Sequence, residues 1–241
     1  MKPIYIVSWL FALAVSFVSC DDWLDKTPKD RLYPDVYFKT EDELRLFTNQ
    51  FYNNLVPSAV DIYSESSDLI VKSDLMLEMS GQRIIPDEGN GWNFTALRDI
   101  NFYLQYSHNC TEVNARNRYD GVARFFRAYF YFEKVKRYGD IPWYDKALDS
   151  DDPELYKARD SREFVMQKML EDLDFAIANL PKTKNAYVLT RWTALALKSR
   201  VCLFEGTFRK YHGLEDCEKY LNACVSASET FMNESGYTLY K

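Results

Sequence analysis

Residues 121–143 read Gly-Val-Ala-Arg-Phe-Phe-Arg-Ala-Tyr-Phe-Tyr-Phe-Glu-Lys-Val-Lys-Arg-Tyr-Gly-Asp-Ile-Pro-Trp, and this stretch limits the possible folds more than any other. Val122, Phe125, Tyr129 and Phe132 recur at spacings of three and four, with Ala128 and Val135 widening the stripe. That periodicity predicts a helix over 121–138. Phe126 and Phe130 extend the stripe until most of the circumference is apolar, so the helix belongs at the centre, with neighbours on several sides. Lys134, Lys136 and Arg137 suit its carbonyl end, Gly139 stands where a left-handed cap is needed, and Pro142 forbids continuation.

These residues also carry a family likeness. Arg127-Ala-Tyr-Phe-Tyr-Phe132, followed by Arg137-Tyr-Gly-Asp-Ile-Pro-Trp143, resembles the central signature of the SusD/RagB family, the surface lipoproteins of Bacteroidetes nutrient-uptake systems. The stretch Arg191 to Gly206 is similar to that family's second signature, an Ala-rich helix.

The amino terminus fits the same picture. Met1-Lys2-Pro3 precedes a fifteen-residue apolar run, Ile4 to Val18. It is shorter than the ~20 residues a spanning helix needs and matches a secretory h-region. Ser19-Cys20 then resembles a lipobox, with Phe17 where Leu is usual, which predicts a signal peptide over 1–19 and lipidation of Cys20. Acyl chains contribute ~0.8 kcal/mol per buried methylene, enough for firm anchoring when several are attached. Asp21 and Asp22 resemble a surface-export signal of Bacteroidetes lipoproteins.

Elsewhere the pattern is helical. Thr40-Glu-Asp-Glu43 reads as a capping box opening a helix over 41–55, with Leu44, Phe47, Phe51 and Leu55 on one face. Leu97, Ile100, Tyr103 and Leu104 predict another over 97–107. Asp160 and Glu163 frame a capping-box start for a third helix, which Pro181 stops. Thr190 caps the next, Gly206 is its expected closing residue, and Leu214 to Met232 forms the last. Residues 161–232 therefore read as successive antiparallel helices of tetratricopeptide type, without a strict 34-residue period. The fold class is all-α, with an irregular, loop-rich segment at 57–96 broken by Pro57, Gly81, Pro86, Gly89 and Gly91. A segment so long and irregular in a compact domain is usually a binding region or a disordered one, and Trp92, Tyr63 and its polar side chains favour the first.

Composition removes several functions. A net charge of −6 argues against a nucleic-acid footprint, and His108 and His212 lack ligand spacing. Asp149, Asp151 and Asp152 lack the glycine and terminal Glu of a calcium loop, so a solvated turn is expected there and no metal or cofactor is called for. Cys217 and Cys224 are seven residues apart on one helix, ~10.5 Å at ~1.5 Å rise per residue, too far for a disulfide. Cys202 can reach either, and buried free thiols are the expectation. No Ser-centred elbow, phosphate loop or marked carboxylate pair points to catalysis.

For binding, Trp92 stands in Gly89-Asn-Gly-Trp-Asn-Phe94, where an indole can stack on a sugar face or plug the core under the loop. Asn93, Arg83 and Asp74 are hydroxyl-binding candidates beside it. The resemblance implies a surface lipoprotein of the outer membrane that binds oligosaccharide without chemistry and delivers it to a SusC-like TonB-dependent transporter. A helical-repeat interaction module and a glycan-degrading enzyme remain open as other classes. The resemblance also implies that residues 20–241 are the amino-terminal portion of a longer helical domain. The apolar stripe of the last helix is then expected to be incompletely covered.

Overall fold

The computed structural model describes residues 34, 36–57, 80–82, 84 and 91–239. Chain contacts divide it into two units, residues 1–37 and 38–241. In the first, the Tyr37 N–H donates to the Pro34 carbonyl oxygen (3.3 Å). The second carries the helices: α1 (Glu41–Leu55), α2 (Thr95–Tyr106), α3 (Val113–Tyr138), α4 (Arg162–Asn179), α5 (Arg191–Tyr211) and α6 (Cys217–Glu234), with 3₁₀ turns at Ser107–Asn109 and Pro153–Tyr156. Among the described residues there is no β-strand, only a single bridge between Ile141 and Asp160.

The aromatic stretch is the central helix that its periodicity predicts. α3 packs along α4 and also touches α1 and α2. It begins at Val113, eight residues before the stretch read from sequence, because Ala115, Tyr119 and Gly121 continue the buried face amino-terminally. Gly121 sits where α4 crosses closely, with a Cβ there meeting Leu180 and Ala176. Phe126 and Tyr131 are almost wholly buried. The Thr40–Glu43 capping box of α1 forms as read, and Phe38, at φ 65°, is held in that unfavourable conformation by complete burial against Phe47, Phe102 and Tyr103.

Helices α3 to α6 run as antiparallel neighbours in order, the tetratricopeptide-like arrangement. Two expectations change. Ser161, not Asp160, caps α4: its Oγ accepts from the Phe164 N–H (3.3 Å), while the Asp160 carboxylate accepts from the Trp143 N–H (2.7 Å). Glu163 is drawn instead to Arg209 and to the Tyr220 hydroxyl (3.2 Å). Gly206 does not close α5, which runs on to Tyr211. It marks a close approach of α6, where an added Cβ would lie 2.7 Å from the Leu221 side chain. Ser199 and Ser228 hydrogen-bond across the same seam (2.7 Å). Beyond it, Val225 and Met232 of α6 and Leu203 of α5 are exposed. Cys110, Cys202, Cys217 and Cys224 are free thiols, and burial pushes Cys202 up to about 12.

One polar contact crosses the centre. Arg127 of α3 makes a bidentate pair with Asp172 of α4, Nε to Oδ2 at 2.6 Å and Nη2 to Oδ1 at 2.7 Å, both side chains buried. Removing one partner leaves an uncompensated buried charge, which costs about 3–5 kcal/mol, whereas an apolar pair of similar volume is tolerated. Asp172→Ala is therefore expected to lower the urea-unfolding free energy by about that much, and Arg127→Met with Asp172→Leu to lower it less. A double variant as unstable as the single one would show that the pair contributes more than mutual neutralisation.

Candidate functional site

Where α2 begins, where α3 ends and where the chain returns through 141–160, the second unit forms a half-open cavity of about 480 Å³. Trp92, Phe94 and Tyr144 supply aromatic walls, Leu97, Leu148 and Leu155 aliphatic ones, and Arg98, Asn101, Lys146 and Lys157 polar groups. A pocket that is mostly apolar with a few placed polar groups is the usual form of a small-ligand site.

Each wall has a local cause. Gly91 adopts φ +84°, and a Cβ there would approach the Tyr138 hydroxyl to 3.1 Å, so the turn that presents Trp92 needs glycine. The Asn93 side-chain oxygen accepts from the Thr95 N–H (2.8 Å) and starts α2. Trp92 is 37 % exposed, with its ring edge-on to Phe94 (5.3 Å) and Tyr138 (4.9 Å). The Arg159 guanidinium lies over the indole at 4.9 Å. Trp92 is thus half wall and half surface, between the two forms its sequence context allows.

The opposite wall hangs from α3. The Tyr131 hydroxyl donates to the Pro142 carbonyl oxygen (3.3 Å) and accepts from the Tyr144 N–H (2.7 Å), while its ring stacks on Trp143 at 4.2 Å. At the base, Asn101 donates to the carbonyl oxygens of Tyr144 (2.8 Å) and Lys146 (3.2 Å), and its own oxygen accepts from Arg127 (3.2 Å). The pocket wall is therefore tied to the central ion pair through one amide. Burial raises the Tyr131 and Tyr144 phenols, so both stay protonated donors at neutral pH.

A second depression, about 580 Å³, lies beside Asp120, Arg124 and Asp145. Its cations are paired with carboxylates outside the lining: Arg127 and Arg124 face Asp172, and Lys146 pairs with Asp152 and Glu154. Burial raises the Asp120 carboxyl. With no aromatic face among its described lining residues it is the weaker candidate.

Of the residues read from sequence, Trp92 lines this cavity, while Asn93 is not among the lining residues and its side-chain oxygen is engaged by the Thr95 N–H; Cys20, Asp74 and Arg83 lie outside the described residues. Asp152, from the acidic loop, caps Glu154 and pairs with Lys146. Sequence reading missed Phe94, Asn101, Tyr144, Lys157 and Arg159: Phe94 and Asn101 meet Tyr144 from 50 and 43 residues away and Arg159 meets Trp92 from 67, while Lys157 lies over the Tyr144 ring from 13. The exception is the Phe94 position, two residues after Trp92 and readable as an aromatic pair.

A model of SusD-like proteins, described as starch-binding associating with outer membrane, matches residues 51–191, more than half of the chain. The chain belongs to the SusD-like family. SusD-like protein P38 of Formosa agariphila is 24% identical over 226 residues, covering 85% of this chain and 43% of its own length. The chain thus spans less than half the length of the curated relatives it matches. A crystal structure of a SusD-like protein from Bacteroides fragilis superposes with a TM-score of 0.66 at 23% identity, over 89% of this chain and 42% of that one. A laminarin-binding SusD-like protein superposes with a TM-score of 0.50 at 18% identity, over 61% and 31%. These structural likenesses carry the fold. Among the described residues no helix is long and apolar enough to cross a membrane.

Tyr131→Phe in this SusD-like chain tests how the wall is held. Loss of the hydroxyl leaves the Tyr144 N–H and the Pro142 carbonyl without that partner, an expected cost of about 1–3 kcal/mol. Hydrogen exchange should quicken at the Tyr144 amide and stay unchanged along α6. Unaltered exchange at Tyr144 would mean that packing alone fixes the wall.

Proposed function

We propose that this chain forms the glycan-capturing part of a surface lipoprotein, anchored through Cys20 and handing oligosaccharide to a TonB-dependent transporter. The observation that carries the reading is the aromatic cavity at the loop–helix junction, with part of the Trp92 indole open to solvent. Sugar rings present C–H faces that pack on aromatic rings and hydroxyl groups that need donors and acceptors. Phe94, Tyr144 and Trp92 offer the first, and Asn101, Thr95 and the cationic side chains stand near the second. The family's description as starch-binding and outer-membrane-associated, and the laminarin-binding neighbour, support the same class of ligand. The described lining supplies cations, an amide and aromatic faces, the equipment of a binder; a glycoside hydrolase works with two facing carboxylates.

Trp92→Ala should weaken binding of laminarin- or starch-derived oligosaccharides by about 1–3 kcal/mol, a range taken from base stacking on aromatic side chains. The melting transition should hold its position within a few degrees. Titration calorimetry and circular dichroism on the same samples read both. Unfolding along with lost binding would make Trp92 a core plug, and glycan hydrolysis by the wild type would overturn the binder.

Anchoring has its own test. Cys20→Ala should move the protein from the membrane to the soluble fraction and abolish acyl labelling. Membrane retention with no label on the wild type would remove the lipoprotein reading.

A further inference from the structure

We propose that the glycan bound at this cavity carries an anionic group, a carboxylate or a sulfate ester, held at the rim by Lys134, Arg137 and Arg159. This rests on the glycan-binding reading above. The three cations converge on Gly91–Trp92 from two separate parts of the chain. Lys134 Nζ donates to the Gly91 carbonyl oxygen, and a Cβ at Gly91 would lie 3.3 Å from Arg137 Nη1. Arg159 reaches the Trp92 indole from the far side of the 141–160 return.

What sets these three apart is how their charge is met among the described residues. Their neighbours are neutralised locally: Lys146 by Asp152 and Glu154, Lys157 by Asp160 at 3.0 Å, and Lys136 by Glu133 at 2.6 Å. Among the described residues, no carboxylate lies within ion-pair distance of Lys134, Arg137 or Arg159. The chain as a whole is acidic, at −6, so uncompensated cations here are a local departure from its balance. Lys134 registers the crowding: burial, and then the charge of Arg137, hold its ammonium below its ordinary value, with Glu133 acting the other way without prevailing. Gathering like charges beside a partly open indole, with no ion-paired acid among the described residues, is unfavourable in the empty protein and becomes favourable when an anion arrives.

Geometry narrows the anion. A guanidinium presents paired N–H donors that match the two oxygens of a carboxylate or sulfate. A sugar sharing the indole with Arg159 brings its exocyclic substituent within reach of that fork. A neutral hydroxyl would use the same donors without discharging the rim.

The test is a glycan microarray probed with the full chain, each backbone printed as its neutral, uronate and sulfate-ester forms. Anionic forms should be bound at least about tenfold more tightly than the neutral form of the same backbone. That preference should shrink as the Debye length falls from ~10 Å at ~0.1 M to ~3 Å at ~1 M salt. Whether uronates or sulfates respond identifies the anion. Arg137→Gln and Arg159→Gln should each remove most of the preference, read as the ratio of anionic to neutral binding within each variant; Lys210→Gln, a distant exposed cation, should leave that ratio unchanged. Equal binding of charged and neutral forms, or a preference that survives both substitutions, overturns the proposal and leaves the glycan-binding reading standing. Binding to no glycan of any kind overturns both.

Discussion

The Arg127–Asp172 pair is the contact on which fold and site both depend. It lies between α3 and α4, which pack along one another, and both side chains are buried. Taken alone, a buried pair adds little net stability, because desolvating two charges offsets most of their attraction. Its weight is in alignment. A bidentate fork closes only when the two helices meet at one rotation and one height, and the Trp143 ring under the guanidinium at 5.2 Å fixes the chain after α3 to the same point. Asn101 then takes a donor from Arg127 and passes two to the carbonyls of the cavity wall. One charge in the core thus sets the position of a surface site.

That relation explains what the sequence discloses and what it conceals. Periodic elements are legible because their information is local: α1 falls at 41–55 as spacing and capping box predict, and the aromatic stretch forms the carboxyl-terminal two-thirds of α3. Asp160 and Gly206 mislead for the opposite reason. Both have local signatures, an N-cap and a helix stop, that tertiary partners override. The Trp143 amide draws Asp160 into a contact across the bridge to Ile141, and Leu221 occupies the space a side chain at 206 would need. Arg127 stands inside the quoted aromatic motif, yet nothing in its neighbours announces a carboxylate 45 positions on.

Trp92 shows the intermediate case. Its glycine-rich context says that an indole stands on an irregular turn, and the φ of Gly91 bears that out physically. Whether such a ring is wall or surface depends on what packs behind it. Phe94 and Tyr138 do so edge-on, which leaves one side of the indole solvent-facing and shared with Arg159. Sequence could name the ring but not the cation over it, which arrives from 67 residues downstream.

The two walls of the cavity are held unequally, and this bears on how a ligand would meet them. The 141–148 wall is secured to the core by the Tyr131 hydroxyl, the Asn101 amide and the Trp143 stack, each buried. Among the described residues, the 91–93 wall is held by the Lys134–Gly91 carbonyl bond, the Asn93 contact to the Thr95 N–H and aromatic edges, and its residues are exposed. Buried polar contacts in a low-dielectric interior resist displacement, whereas exposed ones exchange readily with water. The core-tied wall therefore supplies a fixed template, and adjustment to ligand falls on the Trp92 turn. Since Lys134, Arg137 and Arg159 surround that same turn, the more adaptable wall is also the more charged one. Charge acts over several ångströms, so it draws a ligand before contact and tolerates small displacements of the ring. The fixed aromatic wall then discriminates by shape, which requires that it not move.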